Sequence, residues 1–240
     1  SLSIGIPNKV VSLPMLTVKY KNFDSDEVAK KILGKGYSKE IFNNDGLKKE
    51  IFKGNGGELI IENNKRLAYK NKGNRERVRI PNEEAAAKIA NDFLKQHKLM
   101  KDDIIPDRIY HETGEYAEDG PAYKLVYNQT YKDKFLGQSY IHVYVNHSGV
   151  VAVEAMLLEC EKIQQPHKKV IPATEALMGI MNTILQENKQ PISINEIEIG
   201  YYFSPARYAD WKEVDSGTAI PSWKITIQNG KTYYIEAYKN

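Results

Sequence analysis

The sequence predicts an α+β fold: two tandem helix-on-antiparallel-sheet units behind a smaller N-terminal α+β segment. Three observations predict it. Two amphipathic stretches, each opened by an Ile-Pro pair, recur at an offset of 91 residues (171 − 80). Each is followed by runs rich in Tyr, Val and Ile, the residue types that fit a pleated, half-buried surface. Within those runs Pro121-Ala122-Tyr123-Lys124-Leu125 returns as Pro221-Ser222-Trp223-Lys224-Ile225, at an offset of 100 (221 − 121). Matches in the same order along the chain point to an internal duplication. The expected division is 1–79 for the N-terminal segment, 80–165 for the first unit and 166–240 for the second.

In the N-terminal segment, Leu16–Tyr20 reads as a strand. Asp24–Leu33 reads as a helix that Asp24 caps, with Val28, Ile32 and Leu33 on one face and Gly34 and Gly36 at its end. Asp45-Gly46, Gly54-Asn55-Gly56-Gly57 and Asn63-Asn64 are turn signals, and they separate strands at Leu47–Lys53, Glu58–Glu62 and Arg66–Lys70.

In the first unit, Pro81 and Asn82 mark a helix start, with Glu83 and Glu84 at the positive end of its dipole. Ala86, Ile89, Ala90, Phe93 and Leu94 share a face. Strands are expected at Arg108–Tyr116, Ala122–Tyr131, Ser139–Val145 and Val150–Glu159, with a hairpin turn at Asn146–Gly149. In the second unit, Leu177, Ile180, Met181, Ile184 and Leu185 fall on the positions of the first helix face, and Thr232–Ala237 echoes Ser139–Tyr144. A helix on one sheet face leaves the other face to water or a partner. Each core is small, so the units are expected to lean on one another, on the N-terminal segment or on a second chain.

Composition narrows the function. Of 240 residues, 41% are hydrophobic and 27% charged, which fits an ordered globular protein. Basic and acidic residues number 34 and 31, and that near balance gives no electrostatic case for nucleic acid. The densest basic run, Asn71–Arg79, is broken by Glu76 and reads as a solvated linker. The single cysteine excludes an intrachain disulfide; Cys160 lies in an apolar run and is expected to be a buried structural thiol. No stretch reaches the ~20 apolar residues of a membrane span.

No catalytic, cofactor or metal site is expected. His111-Glu112-x-x-Glu115 lacks the second histidine of a zinc-protease helix and sits in a strand and turn. His142 and His147 have no further ligands at zinc spacing. Ser148-Gly149 and Ser204-Pro205 form no nucleophile elbow. Gly54–Gly57 lacks the Lys-Ser/Thr of a phosphate loop. A solvated loop accounts for Glu112, Glu115, Glu118 and Asp119 better than a weak cation site. The 16 tyrosines carry more information. Tyr140 and Tyr144, Tyr201 and Tyr202, and Tyr233 and Tyr234 sit in pairs on strands, and an apolar ring with a polar tip suits either a wet sheet face or a partner-binding one.

The segments Ile171–Leu177, Glu198–Pro205, Pro221–Tyr238 and Tyr127–Glu159 resemble the YycI family. The helix-plus-strands unit is also similar to PepSY-type modules and to YycH. The likeness covers about residues 80–240 and rests on structural positions, so it transfers no functional residue. It implies an extracytoplasmic domain on the cell membrane, held by one N-terminal helix preceding this sequence. That domain would restrain, with YycH, the sensor kinase of the WalK/WalR system of Gram-positive bacteria, which controls cell-wall metabolism. The implied partners are the kinase and a YycH-like protein, with a homodimer as a further option; no cofactor is implied. The rival expectation is a module that binds peptide or cell-wall fragments, or a PepSY-like protease inhibitor.

Overall fold

The computed structural model describes residues 5–7, 11–73, 82–118, 120–188, 191–205 and 210–238. The expected helix start at Pro81, residues 74–79 of the basic run and Asp119 lie outside the described residues.

The chain opens with β1 (Ser12–Leu13) and β2 (Leu16–Tyr20), then runs through α1 (Ser25–Leu33), β3 (Ser38–Asn44), β4 (Leu47–Gly54), β5 (Gly57–Glu62) and β6 (Arg66–Asn71). After α2 (Glu83–Gln96) come β7 (Ile104–Glu112), a 3-10 turn at Glu115–Ala117, β8 (Ala122–Tyr131), β9 (Lys134–Asn146), β10 (Gly149–Met156), β11 (Leu158–Ile163) and β12 (Lys168–Lys169). Then α3 (Ala173–Glu187) precedes β13 (Ile194–Phe203), β14 (Ser216–Ile227) and β15 (Thr232–Glu236).

Local chemistry sets these bounds. Asp24 caps α1 by accepting the Glu27 amide at 3.0 Å, and Asn82 caps α2 by accepting the Ala85 amide at 3.0 Å. α3 starts behind Pro172 with no side-chain cap. Asp45 and Gly46, at φ 44° and 75°, make the two-residue turn that joins β3 to β4.

Two antiparallel layers result. One runs β7-β8-β9-β10-β6-β5-β4-β3, and the other runs β11-β2-β14-β13 with β15 also on β14. They join where β13 lies parallel to β9 over Tyr201↔Leu136 and Tyr202↔Gly137. Pro221 sits where β14 exchanges β2 for β15, and its carbonyl accepts the Ala237 amide at 2.8 Å. A residue without an N–H is tolerated at such a change of neighbour.

Three cores follow. Under α1 and α2, the largest gathers Phe52, Leu59, Leu67, Phe93, Leu94, Tyr127, Ile141 and Val143. It spans Phe23 to Leu157 and so runs across residue 79. A second core beneath α3 centres on Trp223, Ile225, Ile184 and Tyr233. A third fills the junction with Leu16, Val18, Leu136, Leu158, Tyr201 and Phe203.

Some expectations shift. β3 was not predicted, because SKEIFNN shows neither alternation nor a β-rich composition. The strand expected at Arg108–Tyr116 is β7, which begins at Ile104 and ends at Glu112. The strand expected at Val150–Glu159 is two strands, since the chain leaves β9 at Met156 and joins β2 from Leu158. Cys160 is half-exposed rather than buried, because β11 pairs on one side only.

Candidate functional site

Strand alternation sorts the six paired tyrosines. Side chains of successive residues point to opposite sheet faces. Tyr201 and Tyr233 therefore turn inward and are buried, Tyr201 in the junction core and Tyr233 beneath α3. Tyr140, Tyr144, Tyr202 and Tyr234 lie on strand positions facing away from the helices, half-buried or exposed. Tyr233 is engaged from its own side, where its hydroxyl meets the Glu187 carboxylate at 3.0 Å and accepts from Asn188 at 3.1 Å.

The two sheets repeat one arrangement. Tyr123 and Trp223 point into their cores, while Lys124 and Lys224 take the other face and lie opposite Tyr144 and Tyr234. This register corrects the echo of Ser139–Tyr144 in Thr232–Ala237. That alignment sets inward Tyr233 on outward Tyr140, whereas the pairing makes Tyr234 the counterpart of Tyr144.

The helix-free faces meet across a cleft of about 630 Å³, walled by Lys124, Val126, Asn128 and His142 on one side and Lys224 and Tyr234 on the other. Its end is closed by the β8–β9 hairpin. Phe135 of that hairpin lies on Gly200, where any Cβ would overlap the ring. Reciprocally, a Cβ on Gly137 would come within 2.7 Å of the Tyr202 ring. Two glycines thus let each sheet accept an aromatic ring of the other. Tyr202 and Tyr234 stack at 4.3 Å, and Phe135 stands 5.7 Å from Tyr234. The Gln138 amide donates to the Tyr202 hydroxyl at 2.7 Å. A neighbouring hollow of about 540 Å³ shares Gln138 and adds Tyr20, Tyr140, Met156, Tyr202 and Trp211.

The cleft is polar but electrically balanced. Arg108 holds Glu196 at 2.9 Å, and Lys224 bonds Glu198 and meets Glu196 at 3.5 Å. Burial disfavours the Lys224 charge, yet the bonds to Glu198 and the nearby Glu196 outweigh it and raise the pKa. On the opposite wall His142 stacks on Tyr140 at 4.6 Å and stands 3.7 Å from Glu154, whose carboxyl it holds below the usual range. Burial, then the Glu154 charge, pushes Tyr144 up to about 12, so its phenol stays neutral and donating at physiological pH.

The remaining candidates do not converge. His111 faces Glu83 at 3.7 Å and leans on Tyr123, while Glu115 pairs with Lys70 at 2.9 Å. Glu112 accepts the Gly114 amide at 2.6 Å, and His147 lies in the β9–β10 turn. Among the described residues no group of three His, Cys, Asp or Glu side chains could hold a metal ion. Sequence reasoning missed Phe135, Gln138, Arg108 and Trp211. The one available signal was Gly200 inside an apolar strand, which marks a close approach of another group.

Comparison with known proteins places this architecture. A structure of an uncharacterized protein from Eubacterium rectale ATCC 33656 superposes with a TM-score of 0.63 at 12% identity, over 100% of this chain and 89% of that one. YycH from Bacillus subtilis superposes at 0.57 with 10% identity, over 95% of this chain and 57% of YycH. At such identities the likeness is one of fold. The Bacillus megaterium YpeB C-terminal domain reaches 0.42. No curated protein matches by sequence. The family model described as YycI protein matches residues 1–238, nearly the whole chain, and the protein therefore belongs to the YycI family.

Proposed function

We propose that this chain is the non-enzymatic, extracytoplasmic domain of a membrane-anchored regulator. It modulates a WalK-like sensor histidine kinase that controls cell-wall metabolism, by protein–protein contact and together with a YycH-like protein. The observation that carries this reading is the YycI match over residues 1–238. The shared fold with YycH supports a partnership of related chains. Among the described residues no helix is long and apolar enough to cross a membrane, so the anchor in this reading is a further N-terminal helix.

In this reading the segments 80–165 and 166–240 are duplicated PepSY-like modules, and the repeated Lys–Tyr pairs of the two sheets support that descent. Tyr140, Tyr144, Tyr202 and Tyr234 supply the contact surface, and Tyr201 and Tyr233 fix the sheets beneath it. Regulation follows if the domain binds one signalling state of the kinase better than another, and the shift is bounded by that difference in affinity. Deleting the gene should change kinase-dependent cell-wall transcripts, and a Tyr202→Ala/Tyr234→Ala copy should fail to restore them. Unchanged transcripts after deletion would count against the reading.

One observation favours a second reading. The cleft is concave and aromatic, as a module for peptide or cell-wall fragments, or a PepSY-like protease inhibitor, requires. Calorimetry with wall fragments, repeated on Tyr234→Ala, separates the two: heat that the variant abolishes favours the ligand module.

A further inference from the structure

The edges of the sheet are not treated alike. β7 carries Pro106 and a register break between Pro106 and Arg108. β11 has a break between Cys160 and Lys162, and β15 is only five residues long. These devices blunt a strand edge against pairing with another chain. β3 has none of them. It is a seven-residue strand with no proline and an unbroken register, paired on one side only, to β4. All seven residues are exposed, and Ile41 and Phe42 each show 51% of their surface to solvent, one on each face. The strand adds nothing to a core, yet it presents two large apolar side chains and a free row of backbone groups.

We propose that β3 is a self-association edge that pairs antiparallel with β3 of a second copy of this chain, with Ile41 on the two-fold axis. Three arguments select a second copy. First, the closing pair of a two-residue hairpin, Asn44↔Leu47, is hydrogen-bonded, so Lys39, Ile41 and Asn43 turn their N–H and C=O groups outward. Centring on Ile41 uses all three: Lys39 meets Asn43, Ile41 meets Ile41 and Asn43 meets Lys39, at two bonds per pair. Shifting so that Lys39 faces Ile41 sets Glu40 against Glu40. The centred register opposes no like charges.

Second, the edge carries no charge that would recruit an acidic or basic partner. Lys39 is already held by Asp26 at 2.7 Å and Glu50 at 3.0 Å, and Glu40 lies 3.5 Å from Lys53. Third, a two-fold pairing consumes the open edge of both copies, and the guarded edges elsewhere stop further growth. Among the described outermost strands β3, β7, β11 and β15, β3 alone is unguarded, as a closed dimer requires.

One strand pair lies at the small end of interface sizes, so the association is weak. Sedimentation velocity from about 5 to 500 µM covers the range such an interface reaches, and the expected result is a dimer fraction that rises with concentration. Ile41→Pro removes an outward N–H and leaves the β3–β4 bonds intact, so it should give a monomer with an unchanged circular dichroism spectrum. Ile41→Lys sets two like charges across the axis and should also be monomeric, whereas a mixture of Ile41→Lys and Ile41→Glu chains should dimerise. In a Cys160→Ser background, oxidised Glu40→Cys/Phe42→Cys should form linked dimers and Glu40→Cys alone should not. A monomer at every concentration overturns the proposal. So does a dimer that survives both Ile41→Pro and Ile41→Lys.

Discussion

The core beneath α1 and α2 and the core beneath α3 solve one problem with unequal means. The first joins 25 buried residues among those described; the second joins 13. α1 and α2 open with side-chain caps and carry charges on their outer faces, whereas α3 has no cap and exposes Met178 and Leu185. The larger core can lose a contact and keep its neighbours; the smaller leans on one indole. Trp223 is buried there and donates its ring N–H to the Ile171 carbonyl at 2.9 Å, tying the entry of α3 to the sheet. Stability is therefore expected to be graded along the chain, lowest at its C-terminal end.

The sharpest way to break that contrast is Trp223→Ala, which should cost about 3–5 kcal/mol and strip hydrogen-exchange protection from β13–β15 while β8–β10 stay protected. Uniform loss across both regions would show the two cores to be one cooperative unit. Next comes Gly200→Ala, which sets a methyl into the Phe135 ring and should cost about 1–3 kcal/mol. Its mark should be a larger solvent response of Tyr202 and Tyr234, read by fluorescence quenching. Asn82→Ala should cost about 1 kcal/mol in urea titrations by unpairing the Ala85 amide, with no equivalent effect available at Pro172.

The smallest effect is a pH dependence centred on Glu50, in the larger region. Burial alone would raise the Glu50 carboxyl, but bonds from Ser25, Lys39 and Lys48 at 2.7, 3.0 and 3.0 Å outweigh it and hold it below its ordinary value of 4.5. A depressed folded value gives stability that is full above the unfolded value and lost as pH falls through the folded one. Urea midpoints should therefore drop below about pH 4.5, and Glu50→Gln should flatten part of that drop.

Much of this was legible in residues. Asp24, Asn82 and the glycine-bearing turns carry their geometry locally, so α1, the start of α2 and the bounds of β2, β4, β5, β6 and β8 follow from sequence to within a residue. Ala122–Tyr131 was read to the residue. Pairing across the sheets was not legible. Nothing near Tyr69 announces that β6 will lie beside β10, because that contact is decided by tertiary packing. The tyrosines were visible as a class, but their division into inward and outward members needed each strand's phase. The proposed echo was out of register by three residues (an offset of 93 against 90), and any odd slip exchanges the faces. β3 stayed hidden because all seven of its residues are exposed, so no apolar pattern betrays it.

β2 lies between β11 and β14, and Thr17 faces Thr218, 201 residues later (218 − 17). On a ribosome this strand must therefore wait for one that emerges much later. It gains one neighbour when residues 158–163 appear and the other only when residues 216–219 follow. Closure over such a span is slow, and until then one flank of this nascent strand stays open to capture by a chaperone.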